Sequence, residues 1–364
     1  MTVEARPMSH WSSVDRPPLV IAGPCSAESE EQVLETAARL APLRVHYLRA
    51  GIWKARTRPD SFEGIGAPAL KWLVRAGAEH GMRTATEVAH AHHVEAALEA
   101  GVDLLWIGAR TTVNPFSVQE LANALRGCTV PVFVKNPTAP DFGLWMGAFE
   151  RVAAAGIRDL GAIHRGVSVA DSAPFRNAPM WSLVLELRRE LPDLPLLCDP
   201  SHICGRRDLL ETVAQRAMDL GLDGLMLESH RDPDKAWSDA AQQVTPERLG
   251  GILSKLEVRS NAEDPVFTAS VEGLREEIDT LDQKLVELLV ERLGVVDRIA
   301  DLKQARHVTP FQLDRWRQLL VNRLAHGERL GLRADYVQAV FDTVHEESLR
   351  RQSERMAEDQ SSTT

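Results

Sequence analysis

Apolar positions along the chain follow two different periods. Up to about residue 257 they gather in short β-rich runs: LVIAG (19–23), VHYLRA (45–50), RTATEV (83–88), DLLWIG (103–108), VPVFVK (130–135), DLGAIHRG (159–166), LPLLCDP (194–200) and LDGLMLES (222–229). Amphipathic stretches such as SEEQVLETAARLA (29–41) and APALKWLVRAGAEHG (67–81) separate several of them. Ser29 with Gln32 reads as a capping-box start to the first of these helices. Eight strand–helix alternations over about 250 residues predict an α/β fold, a (β/α)8 TIM barrel. A doubly wound open sheet is the alternative, but no glycine-rich fingerprint follows the first run.

Beyond residue 270 the apolar residues recur at three- and four-residue steps: Leu274, Ile278, Leu281, Leu285, Leu288, Val295, Ile299 and Leu302. This spacing predicts one long helix over roughly 270–306. Thr309, Pro310 and Gln312 read as the start of a second helix running to about His326, and Gly331 as the break before a third, over about 333–353. The expected organisation is a barrel over 1–258, a linker over 259–269, an all-α three-helix domain over 270–355 and a disordered tail over 356–364. One very long helix beside two shorter ones does not close a compact core by itself, so a homodimer that buries its apolar stripe is expected.

Composition narrows the class. Of 364 residues, 44% are hydrophobic and 26% charged, with a formal charge of −10. Nucleic acid and anionic membrane need a net basic face, so neither is an expected partner. The N-terminal MTVEARPMSHWSSVDRPP lacks an apolar leader core, and no run is long enough for a membrane span. A cytoplasmic, reduced protein is expected, with Cys25, Cys128, Cys198 and Cys204 as thiols or metal ligands.

In a barrel of this kind the loops after the strands build the active site. Behind the eight runs stand Cys25; Arg49, Lys54, Arg56 and Thr57; Glu87; Arg110; Lys135; Arg165; Asp199 and His202; and Glu228, with Asp239 on the last loop. Taken singly, each cation is ordinary surface charge. Six of them at equivalent strand ends of an acidic chain imply a site for two strongly anionic groups, two phosphates or a phosphate and a carboxylate. Cys25, His202, Glu228 and Asp239 form a mixed sulfur, nitrogen and oxygen set suited to Mn(II), Fe(II), Co(II) or Zn(II). A zinc knuckle of Cys198, His202 and Cys204 is the weaker reading, because no second histidine or C-x-x-C pair accompanies them.

The motifs GPCS, KART, GARTT, KN, DPSH and LESH, closed by SDAAQQVTPERL, resemble those of 3-deoxy-D-arabino-heptulosonate 7-phosphate (DAHP) synthases of the short type, over about 17–257. Ala55 departs from the proline usual in that family's K-P-R-T. The resemblance implies condensation of phosphoenolpyruvate with erythrose 4-phosphate at a divalent metal, Mn(II) first among the candidates. It implies Cys25, His202, Glu228 and Asp239 as metal ligands, and Arg49, Lys54, Arg110, Lys135 and Arg165 around phosphoenolpyruvate, with Lys54 taken as catalytic. Arg56 and Thr57 are implied for the sugar phosphate, and Glu87 stays open between a place beside the reacting water and a structural carboxylate. The sister synthases of 3-deoxy-D-manno-octulosonate 8-phosphate come second, since they typically carry K-A-N-R-[ST]-S where this chain has KARTRPDS.

The helical segment resembles an all-α chorismate mutase over about 268–354, through Arg275, Arg292, Lys303, Arg315, Ser348 and Gln352. The resemblance implies rearrangement of chorismate to prephenate, with arginines from two protomers holding the carboxylates and Lys303 and Gln352 donating to the ether oxygen. Positioning and electrostatics suffice for a unimolecular rearrangement. Trp316 stands where that family usually has a glutamate meeting the substrate hydroxyl, and Gln312 where an acid is common. A non-catalytic module that senses chorismate or prephenate is the alternative, and feedback on the barrel is expected under either reading.

Overall fold

The computed structural model describes residues 3–10, 18–54, 61–258 and 265–361. Backbone contacts divide the chain into two units, Met1–Ser260 and Asn261–Thr364. Among the described residues no helix is long and apolar enough to cross a membrane.

The first unit is a closed barrel of eight parallel strands in sequential order: β1 (Leu19–Gly23), β2 (Tyr47–Arg49), β3 (Arg83–Val88), β4 (Leu104–Ile107), β5 (Val132–Lys135), β6 (Leu160–His164), β7 (Leu196–Cys198) and β8 (Gly224–Glu228). β8 closes on β1 through five paired residues, from Leu19 opposite Gly224 to Gly23 opposite Glu228. Every expected run contains one of these strands, shortened where a flank turns into loop. Such runs read as continuously apolar because barrel strands are buried on both faces.

Alternation along the strands sorts the core into two layers. Leu19, Ile21, Tyr47, Leu104, Trp106, Phe133, Ile163, Leu197 and Met226 fill the barrel interior. Their neighbours, such as Val20, Leu48, Leu105 and Val134, point outward under the helices. Gly161 makes room for Phe133, since a Cβ there would sit 2.0 Å from the ring. At the helix Glu30–Leu40 the Ser29 side chain accepts from Gln32 N at 3.1 Å, as expected. The return bond runs from Glu28 N to Gln32 Oε1, one residue earlier than a capping box would place it.

The second unit is all α: a long helix Pro265–Gln304, a middle helix Leu313–Arg329 and a last helix Ala334–Ser361. Three boundaries differ from the sequence expectation. The long helix starts inside the expected linker, with Pro265 at its first position, where a missing N–H costs nothing. The middle helix starts after Gln312, not at Pro310, and Gln312 makes no side-chain cap. Lys303 Nζ donates to the Pro310 carbonyl at 2.5 Å, which ties that segment to the end of the preceding helix. The last helix continues to Ser361, across most of the expected disordered tail. Gly331 breaks the chain between the helices at φ +83°, a left-handed conformation that favours glycine.

Candidate active sites in the barrel and the helical unit

The barrel site is built on the Trp106 ring. Trp106 is fully buried within β4, one residue before its end. Arg49 from β2 lies over this ring at 5.0 Å and Lys135 from β5 at 5.7 Å, so the indole face carries two cations. Its Nε1 donates to Glu87 Oε2 at 2.9 Å. Glu87 in turn fills the space left by Gly108, where a Cβ would lie 2.1 Å from Glu87 Oε1. Of its two expected roles, the structural one therefore has a visible partner.

Two carboxylates anchor the cations. Lys135 Nζ donates to Asp199 Oδ2 at 2.7 Å. Asp199 also caps the short helix Pro200–Cys204, accepting from His202 N at 3.0 Å, and its Oδ2 lies 2.8 Å from His202 Nδ1. Burial alone would raise Asp199, but His202 and Lys135 hold it well below the usual carboxylate range. Arg49 Nη1 lies 3.4 Å from Glu228 Oε1, with both side chains buried, and His202 Nε2 is 3.9 Å from the same oxygen. Burial likewise opposes ionisation of Glu228, and His202, Arg49 and Lys54 outweigh it.

Cys25 is fully buried behind β1. Its Sγ donates to Asp239 Oδ2 at 3.2 Å and accepts from Lys54 Nζ at 2.8 Å. Burial, reinforced by Glu228, pushes the thiol up to about 12, so it is protonated at neutral pH. Asp239 has left-handed backbone angles, φ 48° and ψ 38°, a strained state for a non-glycine residue. Its other oxygen is held by Arg176 Nη1 at 2.8 Å, and Arg176 also reaches Gln242 Oε1 at 2.7 Å. Gln242 Nε2 then donates to Glu228 Oε2 at 2.7 Å, and Gln243 Oε1 accepts from Cys25 N at 2.9 Å.

The structure thus gathers Cys25, Arg49, Lys54, Glu87, Lys135, His202, Glu228 and Asp239 around the barrel mouth. Arg165 joins them at 8% exposure, donating to Asn177 Oδ1 at 2.9 Å. Burial lowers its guanidinium to about 10, with Arg176 and Arg110 adding repulsion and Asp199 opposing. Arg110 stands more openly, on the four-residue helix Ala109–Thr112. Arg56 and Thr57 lie outside the described residues. Among the described residues no three His, Cys, Asp or Glu side chains are grouped as a ready metal cage; the four expected ligands meet in pairs. Cys198 and Cys204 are buried thiols, one within β7 and the other at a helix end, which leaves no knuckle.

Sequence reasoning missed Trp106, Arg176, Asn177, Gln242 and Gln243. Arg176 comes from the long segment after β6, twelve residues past the strand, with no positional signal to mark it. Gly205, at φ +65°, gives it room, since a Cβ there would meet Arg176 Cβ at 2.5 Å.

In the helical unit, Arg292 Nη1 donates to Ser348 Oγ at 2.5 Å and the buried Gln352 Nε2 donates to Ser348 O at 3.1 Å. Burial, reinforced by Arg323, lowers the Arg292 guanidinium, and burial lowers the Lys303 ammonium. Arg315 is exposed, reaching Gln318 Oε1 at 3.4 Å. Arg275 is exposed as well and pairs with Glu272 at 3.1 Å. It lies seventeen residues before Arg292 on one helix, about 26 Å along the axis, so a single chain does not bring the two together.

Comparison with known proteins bears on both units. The sequence model described as the DAHP synthetase I family matches residues 9–262, and that of chorismate mutase type II matches residues 274–353. A phospho-2-dehydro-3-deoxyheptonate aldolase of Thermotoga maritima is 33% identical over 243 residues, covering 67% of this chain and 70% of that protein. A 2-dehydro-3-deoxyphosphooctonate aldolase of Dechloromonas aromatica is 27% identical over 286 residues, covering 72% and 98%. The crystal structure of the Thermotoga maritima DAHP synthase superposes with a TM-score of 0.59 at 32% identity, covering 65% of this chain and 67% of that one. DAHP synthases are generally metal-dependent enzymes of aromatic biosynthesis. By this match and its closed barrel the chain is an enzyme that belongs to the DAHP synthetase I family, joined in one polypeptide to a chorismate mutase type II domain.

Proposed function

We propose that the barrel condenses phosphoenolpyruvate with erythrose 4-phosphate at a divalent metal held by Cys25, His202, Glu228 and Asp239, and that the helical domain rearranges chorismate to prephenate. The observation that carries the barrel reading is the placing of Glu228. Arg49 approaches its Oε1 from the cation pocket and His202 from the ligand set, so the two groups of residues share one carboxylate. That oxygen is buried without a hydrogen-bond donor, and the donor set proposed with it, a thiol, an imidazole and two carboxylates, suits Mn(II), Fe(II), Co(II) or Zn(II). When bound, such a cation supplies Lewis-acid polarisation of an aldehyde oxygen or orients a water.

The chain's own residues do the rest. Arg49, Arg110, Lys135 and Arg165 offset the phosphate and carboxylate of phosphoenolpyruvate, which would otherwise repel the second phosphate. Lys54 carries charge from the β2 loop to the thiol. Arg56 and Thr57 hold the sugar phosphate. This brings C3 of one substrate to C1 of the other. Removing bound metal with chelator should abolish phosphoenolpyruvate consumption, and Mn(II) should restore it with erythrose 4-phosphate but not with arabinose 5-phosphate. Turnover by a chain shown metal-free by mass spectrometry would end the metal reading, and preference for the five-carbon sugar would favour the sister synthases.

In the helical domain, Arg292, Lys303, Arg315, Ser348 and Gln352 from one copy and Arg275 from a second copy complete the site. The 26 Å or so between Arg275 and Arg292 supports that division. The domain also reports chorismate or prephenate to the barrel, since its ligand lies downstream of the barrel's product. Cutting within 261–270 should remove end-product inhibition while leaving synthase turnover; inhibition that persists in the cut protein excludes the coupling. A module that binds chorismate without turning it over is the second reading, favoured by Trp316 and Gln312, and an assay of the intact chain separates the two.

A further inference from the structure

His345 lies on the last helix, one turn before Ser348, whose hydroxyl accepts from Arg292. Its imidazole stacks on the Trp316 indole with centroids 3.9 Å apart and planes 9° from parallel, and the Phe311 ring lies 6.1 Å away. Its Nε2 is buried with no hydrogen-bond partner. Burial lowers its pKa, Arg292 and Lys303 lower it further and Asp342 opposes, so the ring is neutral at neutral pH.

A ring needed only for stacking could be phenylalanine at no polar cost. A buried nitrogen without a partner is unfavourable, so it calls for a partner that is not part of the chain. The charged neighbours define the chemistry of that partner. Arg292 and Lys303 serve anionic or charge-bearing oxygens, whereas a neutral imidazole suits an uncharged hydroxyl. Trp316 offers no carboxylate to such a hydroxyl, and its indole face is taken up by the imidazole.

We propose that His345, braced by Trp316, is a specificity-determining residue whose Nε2 hydrogen-bonds the ring hydroxyl of a cyclic hydroxy-dicarboxylate bound by Arg292 and Lys303. The inference rests on the chorismate mutase reading of this domain and names the group that recognises its substrate's hydroxyl. Trp316 acts through His345 by fixing the ring plane, and is a positioning residue.

The test uses the full chain with three substitutions. His345→Phe keeps the stack and removes the nitrogen, His345→Gln returns a polar atom, and Trp316→Leu releases the ring. Turnover and calorimetric binding are measured with chorismate and with an analogue lacking the ring hydroxyl, and thermal melting checks the fold. His345→Phe should lower kcat/KM for chorismate about tenfold, the effect of one hydrogen bond. His345→Gln should recover part of that loss, and Trp316→Leu should share it. With the deoxy analogue, the parent and His345→Phe should be equal. Equal losses on both substrates, or no loss on chorismate, overturn the role of His345 while leaving the mutase reading intact. A parent chain that binds neither compound overturns both.

Discussion

A buried histidine that is neutral in the fold and charged in the unfolded chain makes stability depend on pH. His164 ends β6, is fully buried, and its Nε2 contacts the Pro179 carbonyl. Burial takes it down from the usual 6.5 to about 4. Above about pH 6.5 both states are neutral and its contribution is complete. Between about 6.5 and 4 the unfolded chain binds a proton that the folded chain does not, so stability falls as pH falls, by on the order of 3 kcal/mol across the window. Urea midpoints of the parent should therefore drop more steeply from pH 7 to 5 than those of His164→Gln. Parallel profiles would show that another group governs the acid limb. The same logic separates Cys25 from a reactive cysteine: a buried thiol pushed up to about 12 is a poor nucleophile.

Single backbone positions decide how each element delivers its side chain. Gly108 caps the short helix that carries Arg110, and its missing Cβ is the space that Glu87 occupies. Gly108→Ala should displace Glu87 from Trp106 and tilt the floor beneath Arg49 and Lys135. A loss of about 1–3 kcal/mol in stability is expected, with a fall in synthase turnover and unchanged turnover in the helical domain. Unchanged synthase kinetics would show that the Glu87–Trp106 bond does not position the cations. The elements themselves were largely legible: strands as apolar runs, helices as periodic stretches, and the cations as residues at or just past the ends of β2, β4, β5 and β6. Helix ends were less so. The start at Leu313 was missed because Lys303 of the preceding helix holds the Pro310 carbonyl, and the extension to Ser361 because a polar tail carries no apolar period.

At the scale of the molecule, the long helix poses the open question. Leu274, Ile278, Leu281, Leu285 and Leu288 alternate at four- and three-residue steps, and each is more than half exposed in the single chain. That spacing matches the seam of paired helices, and an exposed stripe of this kind is what the proposed two-copy site would bury. Leu281→Lys with Leu285→Lys should convert the protein to a monomer in sedimentation. It should also abolish chorismate turnover, because Arg275 of one copy cannot reach Arg292 of the same copy. A monomeric parent, or full turnover by the doubly substituted chain, would exclude a shared site.

The sequence by itself determined the eight strands, the change of period after residue 270 and the residue types gathered at the strand ends. These follow from local patterning, which a chain carries whether or not it is folded. Only the tertiary structure decided that Glu228 stands between Arg49 and His202, that Arg176 grips Asp239 from a distant loop, and that His345 lies flat against Trp316. Those pairings join residues far apart in sequence, and their distances are fixed by barrel closure and helix packing, which no local pattern encodes.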